Sequence, residues 1–138
     1  MPHFIIDCSE DLIKMKSPGE IMRAVYEVAE ATHLFAENDI KVRINPYTHF
    51  KLGTDKKNFL HIFGYIMEGR STEQRAELSE KMIARLNKMF PDISILSMNI
   101  SEFVKATYCN KALIHPLNTT NDRHFKIDKN FPNNETET

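Results

Sequence analysis

Apolar residues open the chain, and His3-Phe4-Ile5-Ile6-Asp7-Cys8 reads as a short, mostly buried strand. The period then changes. Ser17-Pro18-Gly19-Glu20 predicts a helix start, with a serine cap, a proline at the first helical position and an acid three residues after the cap. Ile21, Val25, Val28 and Thr32, flanked by Met22 and Ala29, give this helix one apolar face, ending near Leu34. Residues 40–45 alternate, with Ile40, Val42 and Ile44 on one side and Lys41, Arg43 and Asn45 on the other. Pro46 should interrupt that ladder, leaving Tyr47 to Leu52 as a bulged or edge continuation at best.

A polar connection, Gly53-Thr54-Asp55-Lys56-Lys57-Asn58, leads to the nearly continuous apolar run 59–67, which reads as a strand buried on both faces. After Glu68-Gly69-Arg70, Ser71 opens a second helix with Gln74 in the capping-box position. Leu78, Met82, Leu86 and Met89, with Ile83 and Phe90 beside them, form its buried stripe, and Pro91 stops it. Residues 93–104 form a last long strand. From about His115 the chain turns polar and rich in Asn and Thr, and Asn133 to Thr138 should be disordered.

The order is strand-helix-strand, a connection, then strand-helix-strand. The two helix starts, Ser17 and Ser71, are 54 residues apart, so two similar βαβ units follow one another. This predicts an α+β fold, a four-stranded sheet with both helices on one face. The domain spans residues 1–114, followed by a polar extension over 115–138. The uncovered sheet face, with mostly apolar strands at 4–6 and 59–67, should be buried by other subunits.

Composition narrows the class. The 138 residues are 41% hydrophobic and 27% charged, the balance of one globular domain. Net charge is −1 with Lys and Arg scattered, which argues against a nucleic-acid partner. No apolar run approaches the ~20 residues that span a bilayer. Asp7, Glu10 and Asp11 stand where a secretion signal would be basic or apolar, so a cytoplasmic location is expected. Cys8 and Cys109 read as two free thiols, and no His/Cys spacing suits a metal.

Four residues could carry chemistry. Pro2 is either a neutral strand start, which needs no backbone donor, or, once Met1 is excised, a free secondary amine. An ordinary α-amino group titrates near ~8. Burial and nearby cations lower that value, which suits a general base at neutral pH. Lys41 and Arg43 are either a solvated strand face or an anion site. Arg70 is either a loop arginine pairing with Glu68 or Glu73, or a planar fork for a carboxylate beside a helix start. His3 and His61 read as hydrogen-bonded structural histidines, and Tyr47 and Phe50 as a pocket wall or an edge cover.

The stretch Met1-Pro2-His3-Phe4-Ile5-Ile6-Asp7-Cys8-Ser9, followed by Gly69-Arg70-Ser71 ahead of a helix, resembles the 5-carboxymethyl-2-hydroxymuconate isomerase family of the tautomerase superfamily. The resemblance covers roughly residues 1–114. It implies a homotrimer of βαβ–βαβ subunits with active sites near subunit boundaries. It implies a proton transfer by the amino-terminal proline with no cofactor and no metal, acting on a small unsaturated di- or tricarboxylate in homoprotocatechuate breakdown. The family holds substrate carboxylates with an arginine of an Ile-Arg-x-Arg stretch and the arginine of Gly-Arg-Ser. Arg70 matches the second, whereas Ile40-Lys41-Val42-Arg43 carries Lys41 in the earlier position and keeps Arg43. Lysine lacks the bidentate fork, which bears on substrate identity more than on proton transfer. The rival readings are another 2-oxo or unsaturated acid on the same scaffold, and a non-catalytic module that binds a small acid.

Overall fold

A computed structural model of the chain describes residues 1–36 and 38–114. The expected extension over 115–138 lies outside the described residues. The elements are β1 (His3–Ser9), α1 (Glu10–Met15), α2 (Pro18–Ala31), β2 (Lys41–Tyr47), β3 (Phe59–Met67), α3 (Thr72–Met89), β4 (Ile95–Phe103), a short 3-10 turn (Lys105–Thr107) and α4 (Lys111–Ile114). One mixed sheet runs in the order β2-β1-β3-β4. β1 is parallel to β2, β3 is parallel to β4, and the two units meet antiparallel at β1–β3. This is the α+β arrangement of two βαβ units that the hydrophobic pattern predicts.

Both long helices start on serine caps. Ser17 accepts from the Glu20 N–H, and Ser71 forms a full capping box with Gln74. α2 ends at Ala31, three residues before the expected Leu34. Thr32 turns back to bond the Ala29 carbonyl through its hydroxyl at 2.6 Å, and His33 adopts a left-handed φ of 56°. α1 is absent from the sequence reading, because a six-residue helix has too few turns to show a period. Its Leu12 is nonetheless fully buried.

Two strand expectations need correction. Pro46 does not interrupt β2, which runs on through Pro46 opposite Cys8 to Tyr47. β2 is an edge strand, so a missing N–H on its outer side breaks no ladder. β3 is not covered on both faces within one chain. Its Leu60, Ile62 and Ile66 are fully buried, whereas His61, Phe63 and Tyr65 alternate with them and are half-buried. The helices cover only one face of the sheet. Against that face Phe4, Ile6, Ile62, Ile21, Leu78 and Leu86 form the core.

Gly69 turns the chain from β3 into α3 with φ of +119°, a conformation that disfavours any side chain. Met1 and Met67 form a second, smaller cluster with Phe103, Tyr108 and Leu113, at the end of the sheet where β1 begins. No helix among the described residues is long and apolar enough to cross a membrane.

Candidate active site

The site is built around the head of the central strand β1. His3 stands opposite Lys41, and the next bond outward runs from the Lys41 N–H to the Pro2 carbonyl at 3.0 Å. Pro2 is therefore fixed as a continuation of the ladder, and it is buried. Met1 runs on in the same line. Its α-amino group forms an ion pair with the Asp39 carboxylate and lies 3.4 Å from the Asp39 carbonyl. The Lys41 ammonium sits 2.7 Å from that carbonyl and 3.9 Å from the Asp39 carboxylate. Asp39 thus stands between the chain terminus and Lys41.

The Met1 side chain is largely buried. Met1 is 9% exposed and packs on Met67, Phe103, Tyr108 and Leu113. The Tyr108 hydroxyl meets its sulfur, and the Asn110 amide nitrogen lies 3.6 Å from the same atom.

Arg43 projects beside His3. Its Nη1 donates to His3 Nδ1 at 3.1 Å, so that ring nitrogen is the bare acceptor. Partial burial, then the Lys41 and Arg43 charges and the terminal amine, hold the His3 pKa below its ordinary 6.5. The His3 ring also meets Phe103 edge-on at 6.0 Å.

Arg70 lies at the same end of the sheet but on its other side. It is 6% exposed. Its guanidinium donates to the Met67 carbonyl at 3.0 Å and the Leu34 carbonyl at 2.7 Å, and it lies 5.0 Å over the Phe35 ring. Phe35 in turn packs on Phe4 of the core. The structure therefore gathers Pro2, Lys41 and Arg43 at the β1–β2 head, with Lys41 and Arg43 on the uncovered face. It sets Arg70 apart from them, on the helix side.

Other sequence candidates lie elsewhere. His61 sits opposite Asp7, bonded to Ser97 and Asn99 at 2.7 Å each, away from His3. Tyr47 and Phe50 pack on Phe59 at the far end of the sheet, covering an edge. Tyr47 also donates to Asp7, whose charge raises the phenol pKa. Cys8 is fully buried. Burial, with Asp11 and Asp7 nearby, pushes its thiol up to about 11.

Three neighbours of the terminus escape the sequence reading. Asp39 meets Met1 across 38 residues, and Tyr108 and Asn110 follow β4 in a stretch with no period. Only the position of Asp39, two residues ahead of Lys41 at a strand start, hints at its place. A depression of about 210 Å³ lined by Ala31, Leu34, Gln74 and Lys81 lies on the helix layer and includes none of these groups. Among the described residues no group of three or more His, Cys, Asp or Glu is arranged to hold a metal ion.

Two βαβ units joined in one four-stranded mixed sheet define a fold of the tautomerase superfamily. A sequence profile described as 5-carboxymethyl-2-hydroxymuconate isomerase matches residues 2–117, and the chain belongs to that family and is an isomerase. No curated protein matches it significantly in sequence. The chain is similar to a 5-carboxymethyl-2-hydroxymuconate isomerase from Deinococcus radiodurans R1, at 25% identity and a TM-score of 0.70 over 80% of this chain and 88% of that one. It is similar in fold to a 5-carboxymethyl-2-hydroxymuconate delta-isomerase at 17% identity and a TM-score of 0.61, covering 80% and 87% of the two chains. It also shares its fold with a member of the cis-3-chloroacrylic acid dehalogenase family, at 11% identity and a TM-score of 0.63 over 79% and 80% of the two chains.

Proposed function

We propose that the protein is a cofactor-independent tautomerase that moves a proton within a 2-hydroxymuconate-type unsaturated carboxylate, with the Pro2 amine as its proton carrier. The observation that carries this reading is the burial of Pro2 at the head of β1, where its carbonyl is tied to Lys41. A fixed, desolvated secondary amine is an effective base near neutral pH.

Once Met1 is removed, neutral Pro2 takes the proton from the substrate's 2-hydroxyl. The electrons shift through the conjugated chain to form the ketone. The prolinium then returns a proton to the distal carbon and is neutral again. Lys41 and Arg43 bind the 2-oxo acid end and stabilise the charge that gathers on its oxygen. Arg70, a fixed and nearly buried cation on the helix side, adds positive potential at this end of the sheet through its field rather than by direct contact. It also helps keep Pro2 deprotonated.

We assign the substrate to 5-carboxymethyl-2-hydroxymuconate in cytoplasmic homoprotocatechuate breakdown. We assign the assembly to a homotrimer, in which the half-buried His61, Phe63 and Tyr65 face is covered by other subunits. Lys41 in the place of the family arginine favours a second reading, a different 2-oxo or unsaturated acid on the same scaffold. A panel of such acids separates the two.

The test is chemical. Mass spectrometry first checks whether Met1 is absent, and turnover of 2-hydroxymuconate is then followed on protein that lacks it. Pro2→Ala, which leaves a primary amine, should weaken turnover. Acetylation of the Pro2 nitrogen should nearly abolish it. Full activity with a blocked nitrogen would sink the mechanism.

A further inference from the structure

The Met1 side chain occupies a built seat of its own. Met67, Phe103 and Leu113 wall it, and two hydrogen-bond donors, the Tyr108 hydroxyl and the Asn110 amide, close its far end on the sulfur. Thioether sulfur is a poor acceptor. Two polar donors converge on it in an otherwise apolar setting, where an oxygen acceptor would take their hydrogen bonds more strongly than sulfur does.

We infer that this seat is a substrate subsite, which takes the distal carboxyl or carbonyl end of an unsaturated acid once Met1 has gone. The inference rests on the reading of Pro2 as the proton carrier. Met1 is bonded directly to the Pro2 nitrogen, so its excision opens the seat beside that atom. The path from the nitrogen through Met1 to its sulfur is about five covalent bonds. A substrate whose protonated carbon meets Pro2 therefore carries an oxygen acceptor a similar distance further along. The apolar walls suit a flat conjugated chain. Tyr108 and Asn110 are neutral donors, so they recognise the distal oxygens by direction rather than by charge. The two donors of the seat, Tyr108 and Asn110, lie in the segment after β4, whereas Lys41 and Arg43 lie in the edge strand β2. The two ends of one diacid thereby fall to two different parts of the fold.

Retained Met1 blocks the protein twice, by acylating the amine and by filling the seat. Its excision exposes apolar walls and leaves the processed form less tightly packed at this end of the sheet.

The experiment compares two probes on protein shown by mass spectrometry to lack Met1. One is 2-hydroxymuconate, a diacid. The other is 2-hydroxypenta-2,4-dienoate, which lacks the distal carboxylate. In Tyr108→Phe and in Asn110→Ala, the ratio of kcat/KM for the diacid to that for the monoacid should fall about 3- to 10-fold. Leu113→Trp, which fills the seat from its wall, should raise KM for the diacid more than for the monoacid. Pro2→Ala should reduce both probes together and leave the ratio alone. An unchanged ratio in Tyr108→Phe and Asn110→Ala overturns the subsite while Pro2 keeps its role. Undiminished turnover with an acetylated Pro2 nitrogen overturns the proline reading instead. A binding measurement guards against variants that fold poorly. The diacid should raise the melting temperature of the processed protein more than that of a form retaining Met1, and equal shifts count against the subsite.

Discussion

The α-amino group of Met1 and the carboxylate of Asp39 form an ion pair at the head of the sheet, and the Asp39 carbonyl lies 3.4 Å from the same nitrogen. In the proposed processed form, which lacks Met1, the terminal amine beside Asp39 is that of Pro2. A carboxylate beside an amine favours the ammonium and raises its pKa, opposing the effect of burial and of Lys41. Asp39→Asn keeps the shape and removes the charge. The acidic limb of kcat/KM should therefore move to lower pH, because the amine loses its proton more readily. A pH–rate profile checks this, and ¹⁵N NMR titration of Pro2 reads the same shift directly. A limb that stays in place would show that Asp39 does not sense the amine.

Cys8 and Cys109 should differ sharply in reactivity. Cys8 is fully buried, and its pKa of about 11 leaves almost no thiolate at neutral pH. Cys109 is exposed. A thiol reagent should label one cysteine per chain in the native protein and both after denaturation. Peptide mapping should place the native label on Cys109, and rapid labelling of Cys8 would contradict the packing of β1.

The chain announces some of this architecture openly. Ser17 with Glu20 and Ser71 with Gln74 mark their helices in advance, because a cap and its partner lie within one turn of each other. The alternation of Ile40, Val42 and Ile44 marks β2 for the same local reason. Pro46 misleads, because whether a missing N–H matters depends on strand order, which no local pattern encodes. Pro2, Lys41 and Arg43 stand out by residue type and neighbourhood. Arg70 stands out as well, yet its inward turn toward Leu34 and Met67 depends on contacts made across the fold. Asp39, Tyr108 and Asn110 are silent in the sequence because they reach Met1 over 38 residues or more.

Gly69→Ala should destabilise the protein without a clash. Its φ is +119°, and a Cβ built there meets no atom within 4 Å. The cost is therefore backbone strain alone, about 1–2 kcal/mol. Chemical denaturation should show a lower midpoint with an unchanged slope. Because Gly69 precedes Arg70 and the Ser71 cap, an additional loss of activity would report a shift of Arg70.

His3 should give the fold a pH dependence of known sign. Its folded pKa lies below 6.5, so the unfolded chain binds its proton more readily than the folded one. The native state gains from the neutral ring above pH 6.5, and that gain is lost as pH falls through 6.5 toward the folded value. His3→Gln keeps a polar partner for Arg43 and removes the titration. The variant should lose less stability than the parent over this acidic window, measured as the denaturation midpoint against pH. Parallel curves for the two proteins would mean that the imidazole in the fold is no harder to protonate than in the unfolded chain, contrary to its burial beside Lys41 and Arg43.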